Sequence, residues 1–194
     1  GLSDVVEVSQ GSMEEVELPE KVDVIISEWL GYFLLRESMF DSVLHARDKW
    51  MKPGGAMFPS HAKMYLSCIK SNKSGQKYQE LQESLTVWKE FVATTRDNYG
   101  IDLSCMDDEY EDEQEEHYLN TSAWVDIHPS QLMSTPCTLA SFDLNKCSMD
   151  DIKVLRDDEF KLTLIDGRAG PSGETRDGAF AGWFDVTFAG SDEN

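Results

Sequence analysis

The chain has 194 residues, with 37 Asp and Glu against 17 Lys and Arg, a formal net charge of -20. A balance this acidic argues against direct nucleic-acid binding, which needs basic patches to displace phosphate counterions, and favours cationic partners steered to the surface, although the charge could serve solubility alone. The four cysteines, Cys68, Cys105, Cys137 and Cys147, lack Cys-x-x-Cys spacing, so no zinc site or disulfide framework is expected, reduced thiols in cytoplasm or nucleus are the default, and no apolar run approaches the roughly 18 residues of a membrane span.

In chain order, residues 5–8 read as a strand, and Ser12 with Glu15 fits a capping box in the turn that follows. Val22, Val24, Ile25 and Ile26, between Pro19 and Gly31, have the short β-branched character of a strand buried in a parallel sheet. Residues 27–32 then lie at its carboxyl end, where open α/β sheets bind ligands, and Glu28 is the carboxylate placed there. From Glu37 onward, Met39, Phe40, Val43, Leu44, Arg47 and Trp50 recur at helical spacing until Pro53 and the Gly54, Gly55 pair, which predicts an amphipathic helix. Glu37 falls in its first turn, where the helix dipole favours an anion.

Glu28 and Glu37 are nine residues apart, and a loop folded back between them brings two carboxylates to one pocket. Like charges that close need a proton or a cation between them. A guanidinium is the cation that matches carboxylates in bidentate fashion, each charge-assisted bond contributing about 1.5–3 kcal/mol, so the pair suggests an arginine ligand. The plain alternative is that both glutamates bond backbone amides or pair with Arg36 and Arg47. His45 reads as a surface residue.

Residues 53–61 read as a linker. From Ala62 the pattern changes, and Met64, Leu66 and Cys68 alternate as in a half-buried antiparallel strand. Between about residues 77 and 124 helical spacing takes over, with Leu81, Leu85, Trp88, Phe91 and Val92 forming a stripe; it either packs on its own domain or forms an arm that docks on a second subunit. Residues 107–116 carry eight acidic side chains in ten, expected as a solvated loop, with attraction of basic substrates as the other reading. Short strands follow at 137–142, 160–165 and 183–188, separated by Gly, Asp and Ser turns as a barrel requires, with a hairpin loop at 167–178.

The motif Ser27, Glu28, Trp29, Leu30, Gly31, Tyr32, followed by Glu37, Ser38 and Met39, resembles the double-E loop of protein arginine N-methyltransferases, in the Trp and Tyr form of members that make asymmetric dimethylarginine; the plant-type branch is most similar. Gly11 to Pro19 resembles the segment whose first glutamate, here Glu14, binds the adenine of S-adenosylmethionine. Trp88 and residues 99–105 resemble the family's dimerisation arm and its return, and residues 182–188 a barrel strand. The resemblance implies an α/β plus β fold: residues 1–52 as the C-terminal part of a Rossmann-like cofactor domain, 53–61 as a linker with a cis bond before Pro59, and 62–194 as a partial β-barrel substrate domain carrying the arm. It also implies Glu28 and Glu37 as catalytic residues, Met13, Glu14 and Met39 at S-adenosylmethionine, Trp29 and Tyr32 at the arginine, homodimers formed through the arm, and histones or Gly/Arg-rich proteins as substrates.

The chain departs from that family where the glycine-rich cofactor motif and the Thr-His-Trp loop would stand, neither of which it contains, and at Arg36, where many relatives have Tyr. The expectation is therefore an internal fragment that is inactive alone. Two other readings stay open: a non-catalytic acidic module that dimerises with or scaffolds relatives, and a carboxylate metal enzyme, which lacks a histidine at ligand spacing.

Overall fold

The computed structural model describes residues 2, 4–154, 159–168 and 178–189. The chain divides into two compact units, Gly1–Leu66 with Pro136–Leu162 and Gly182–Asn194, and Ser67–Thr135 with Thr163–Ala181. The sequence-expected linker at 53–61 lies inside the first.

In the first unit, strand β1 (Val22–Ile26) is followed by helix α1 (Met39–Trp50) and strand β2 (Met51–Phe58), and β1 pairs with β2 in parallel. This is a βαβ crossover, the element expected of the C-terminal part of a Rossmann-like domain. Residues 51–58 are thus strand where Pro53, Gly54 and Gly55 suggest a linker. The breakers are absorbed by a register shift, Val22 opposing Met51 but Val24 opposing Ala56, and bulges are where strand Pro and Gly are tolerated. Gly55 is needed there, since a Cβ on it would lie 2.6 Å from Met51 Cγ and 3.0 Å from the Asp23 carbonyl.

Three expectations are corrected at this end. Residues 5–8 form no strand, and Val5, Val6 and Val8 are exposed, because no neighbouring strand among the described residues pairs with them. The Ser12–Glu15 segment is a backbone turn closed by Glu15 N–H and Val16 N–H donating to the Ser12 carbonyl, not a helix cap. β1 is not buried on both faces: Val24 and Ile26 are 46% and 78% exposed, since only α1's side of the two-stranded sheet is covered among the described residues.

β3 (His61–Lys70) lies between β4 (Cys137–Asp143) and β5 (Gly178–Thr187), antiparallel to β4. The Phe58–Pro59 bond that precedes it is cis. Alternation along β3 begins as expected with Ala62 and Met64 buried, but a bulge between Met64 and Tyr65 reverses its phase, so Ser67 and Ile69 go inward in place of Leu66 and Cys68. Ser60, fully buried, ties the strand ends together: its N–H and hydroxyl donate to the Thr187 carbonyl at 2.8 and 2.9 Å, and its carbonyl accepts from Leu144 N–H at 2.8 Å.

One core joins these elements. Trp29, Leu34, Phe40, Val43, Leu44, Met57, Ala62, Met64, Phe142, Leu144 and Cys147 are buried together, with Phe142 edge-on to Phe40 at 5.5 Å. Beneath α1, the buried Arg47 donates from Nη1 to the Leu144 and Cys147 carbonyls, each at 2.7 Å. It therefore holds the turn after β4, which leads into the short helix α4 (Met149–Lys153) capped by Ser148 and Asp151.

The second unit is built on α2 (Asn72–Tyr99), with α3 (Asp107–Glu115) and a π turn (Glu116–Asn120) returning along it. Leu81 and Val92 of the expected stripe are buried. The acidic run is helix, not loop. Tyr110 and Gln114 occur one turn apart and dock on α2: Tyr110 stacks on Trp88 at 4.4 Å, and Ser84 Oγ bonds both Tyr110 Oη and Gln114 Oε1. Acidic Asp107, Asp108 and Glu109 occupy the first turn, the favourable end of the dipole, and Asp107 also accepts from Trp88 Nε1 at 2.7 Å. Residues 160–165 are not a strand either; they meet 133–135 through one isolated bridge, Ser134 with Leu164. The expected loop at 167–178 falls largely on residues 169–177, outside the described residues.

Candidate functional site: a glutamate hairpin beside α1

The β1 carboxyl end runs into a tight hairpin. Ser27 N–H still bonds the Phe58 carbonyl at 3.0 Å, extending the parallel pairing by one residue. Gly31 and Leu34 then exchange both backbone bonds, Leu34 N–H to the Gly31 carbonyl at 2.9 Å and the reverse at 3.2 Å. Closing so short a loop forces three non-glycine residues into the left-handed region: Phe33 (φ 45), Leu34 (φ 67) and Ser38 (φ 56). Such conformations cost on the order of 1–3 kcal/mol each and persist only where the surroundings over-determine them.

The surroundings here are apolar. Trp29 is 1% exposed and stacks face to face on Phe40 of α1, ring centroids 4.0 Å apart. Its indole N–H is buried with no partner among the described residues. Leu34, also 1% exposed, enters the same core. The tip residue Phe33 covers Gly182 of β5, where a Cβ would lie 2.6 and 2.7 Å from its Cε2 and Cζ.

This hairpin carries the two sequence-predicted glutamates on its two limbs, both exposed. Glu28 Oε1 accepts from Leu30 N–H at 3.1 Å. Glu37 is folded back against Gly31: a Cβ on that glycine would meet Glu37 N and Cβ at 3.0 Å. The limb bearing Glu37 thus returns to within three residues of Glu28. Glu37 is not in the first turn of α1, however; it precedes Ser38, the left-handed N-cap, and Asp41 is the acid of that turn. The loop's closure, not the helix dipole, positions it. Of the alternative partners for the pair, Arg47 is committed to the turn after β4, while one backbone amide, that of Leu30, does bond Glu28.

The remaining predicted residues divide. Tyr32 is 52% exposed at the hairpin. Trp29 presents its ring to the core, where its stack on Phe40 fixes the loop's course. Met39, the first residue of α1, is 47% exposed. Met13 is 44% exposed, and Glu14 reaches α1 itself, where Ser42 Oγ donates to its carboxylate and holds its pKa below the usual range.

Sequence reasoning missed the residues that make this last placement. Ser42 and Lys49 lie two helical turns apart on α1, and Lys49 Nζ bonds both the Glu17 carboxylate at 2.7 Å and the Glu14 carbonyl. No local signal sets this pair apart, because Asp41, His45, Arg47 and Asp48 are polar positions of the same helix. Phe33 and Gly182 left no signal either, because a contact between a loop tip and a distant strand has no local period. Among the described residues, no group of three or more His, Cys, Asp and Glu is arranged to hold a metal ion.

Chemically, the arrangement sets an exposed carboxylate pair on a hairpin anchored in the core and leading into α1, while Glu14, next to Met13 in sequence, bonds Ser42 of that helix and Met39 opens it. Carboxylates accept hydrogen bonds from a planar cation, and the Glu14 side accepts from an amine or hydroxyl.

The profile described as the arginine methyltransferase oligomerization subdomain matches residues 60–194. Protein arginine N-methyltransferase PRMT10 of Oryza sativa subsp. japonica is 45% identical over 193 residues, 100% of this chain and 49% of the relative, and that of Arabidopsis thaliana is 42% identical with the same coverage. Protein arginine N-methyltransferase 6 of Danio rerio is 36% identical over 96% of this chain. The crystal structure of Arabidopsis thaliana protein arginine methyltransferase 10 superimposes with a TM-score of 0.81 at 41% identity, covering 99% of this chain and 53% of that one. The chain spans about half the length of the curated relatives it matches. It belongs to the protein arginine methyltransferase family.

Proposed function

We propose that the complete protein containing this chain transfers methyl groups from S-adenosylmethionine to guanidino nitrogens of protein arginines, with Glu28 and Glu37 as the catalytic pair. The carrying observation is the hairpin itself, which bears a carboxylate on each limb and folds Glu37 against Gly31. S-adenosylmethionine supplies an electrophilic methyl group on a sulfonium. Glu28 and Glu37 accept hydrogen bonds from the guanidinium, hold it in line for attack and keep its positive charge away from the nitrogen that reacts. Transfer would break the sulfonium's bond to the methyl carbon, leaving that electron pair on sulfur as S-adenosylhomocysteine, while the guanidino nitrogen would gain the methyl and lose a proton to solvent. Tyr32 lines the arginine's approach, Trp29 fixes the loop through its stack on Phe40, and Met39 limits which dimethyl product fits.

The cofactor residues fit their group. Glu14, kept ionised by the Ser42 hydroxyl, is an acceptor for adenine or ribose donors, and Met13 and Met39 offer exposed thioethers. In this reading residues 1–52, with the rest of β2 through Phe58, complete the cofactor domain, and 62–194 form a partial barrel with its arm at about 77–124.

Homodimers form through that arm, and the products are asymmetric dimethylarginines. The profile over 60–194 is described as an oligomerization subdomain, the Trypanosoma brucei PRMT1 enzyme-prozyme relative is a heterotetrameric complex with AdoHcy, and Val87, Phe91, Tyr99 and Ile101 are exposed on and just after α2. Histones and Gly/Arg-rich proteins are the substrates that a chain of net charge -20 attracts, in cytoplasm or nucleus.

The test is transfer of labelled methyl from S-adenosylmethionine to a Gly/Arg-rich peptide by the complete protein, with an Arg-to-Lys peptide as control. Label on the arginine peptide alone supports the reading. No label on either peptide removes it, leaving the non-catalytic acidic module, for which the charge-dense α3 packed on α2 is the favouring observation.

A further inference from the structure

We propose that Phe33 and Gly182 form a positioning contact that sets the glutamate hairpin, with Gly182 serving as the seat for the loop tip. This rests on the reading of Glu28 and Glu37 as the arginine-binding pair. Phe33 is held at φ 45 and its neighbour Leu34 at φ 67, so this tip does not keep its shape by local preference. From below it is fixed by Leu34 in the core. From the other side it is fixed by β5, where the Phe33 ring occupies the space that a side chain on Gly182 would take, its nearest ring atoms 2.6 and 2.7 Å from an ideal Cβ and a third at 3.3 Å.

Distances under 3.0 Å cannot be accommodated in place, so a methyl at 182 must displace the Phe33 ring, and with Phe33 at φ 45 and Leu34 locked in the core the proposal is that the tip moves with the ring. The tip is three residues from Leu30 and four from Glu37, and the Gly31–Leu34 bridge transmits its position to both limbs. Gly182 lies inside β5, anchored nearby by Trp183 stacking on Tyr65 at 5.7 Å. The strand therefore holds and the loop yields. Phe33 and Gly182 act through the hairpin and touch no reacting atom.

The experiment uses the complete protein and three variants: Gly182→Ala, Phe33→Leu and the double variant. For Gly182→Ala the contact predicts a fall in kcat on an arginine peptide of about 10- to 100-fold, the scale of a small misplacement of catalytic groups, with S-adenosylhomocysteine affinity by calorimetry within about 2-fold. Hydrogen exchange at the Gly31, Leu34 and Arg36 amides rises at least about tenfold while that of Val43 and Leu44 in α1 stays at the wild-type rate. In the double variant the smaller Leu clears the methyl, so exchange and kcat recover most of the loss. Wild-type exchange at those amides in Gly182→Ala overturns the proposal, as does a loss that Phe33→Leu fails to rescue, which would trace to β5 itself. Faster hairpin exchange with rescue, in a protein that methylates no arginine, upholds the contact and removes the catalytic reading on which its purpose rests.

Discussion

Replacing Arg47 with Met tests whether the buried guanidinium, and not an apolar contact, ties α1 to the turn after β4. Met keeps most of the aliphatic stem, so little volume is lost. Two carbonyls, Leu144 and Cys147, each lose a 2.7 Å charge-assisted bond in a buried setting. Such bonds are worth about 1.5–3 kcal/mol each, so roughly 3–6 kcal/mol of interaction is removed. Desolvating the arginine no longer opposes folding, which returns part of this. The ion pair with Asp48, whose side chain is 60% exposed, adds less than about 1 kcal/mol. The net expectation is a destabilisation of about 3 kcal/mol. Arg47→Lys keeps the charge but not the fork and falls between. Urea unfolding of the complete protein followed by circular dichroism measures both. A change below about 0.5 kcal/mol for Arg47→Met, the scale of an ordinary surface substitution, would refute the reasoning.

Other perturbations follow from the same structure. Phe40→Ala removes the ring on which Trp29 stacks and should cost about 3–5 kcal/mol in thermal unfolding; a loss under about 1 kcal/mol contradicts the stack's role. Asp143 is pushed up by burial but pulled further down by the Lys146 ammonium, the Asn145 N–H and His61. Its folded pKa is therefore depressed, and its stabilisation is complete above the ordinary carboxylate range and lost as pH falls through that lower value; Asp143→Asn should flatten this acid limb of a stability-pH profile, and an unchanged limb assigns it elsewhere. In α3 the pairs Asp107–Glu111, Asp108–Asp112 and Glu109–Glu113 repel at helical spacing, so Trp88→Ala, which removes the docking ring, should raise hydrogen exchange across 107–115 at low salt. Added salt should reverse part of the rise by screening, and protection equal to wild type would show that α3 does not depend on α2.

Much of the site was legible because it is local. The strand before Glu28, the helix after Glu37 and their separation follow from short-range periodicity, and the double-E resemblance rests on a contiguous run of residues. What was misread depended on partners distant in sequence. Pro53, Gly54 and Gly55 look like a breaker, yet β1 captures them as a bulged strand. The run at 107–115 looks like a solvated loop by charge, yet Tyr110 and Gln114 give it an apolar and hydrogen-bonding edge against α2. Cys68 and Leu66 lose the inward phase to Ser67 and Ile69 through a bulge in β3, for which single-strand alternation carries no sign. Arg47 fits an apolar stripe only because its charge is spent on carbonyls about a hundred residues later.

The most direct test of the account is the turnover of Glu28→Gln and Glu37→Gln in the complete protein, measured beside S-adenosylhomocysteine affinity. Each substitution keeps the side chain's shape and deletes the negative charge, so kcat on an arginine peptide should fall about 10²- to 10³-fold, as for loss of one preorganised electrostatic group, with cofactor affinity within about 3-fold. Either variant retaining half or more of the wild-type kcat would contradict the claim that this carboxylate pair holds the guanidinium.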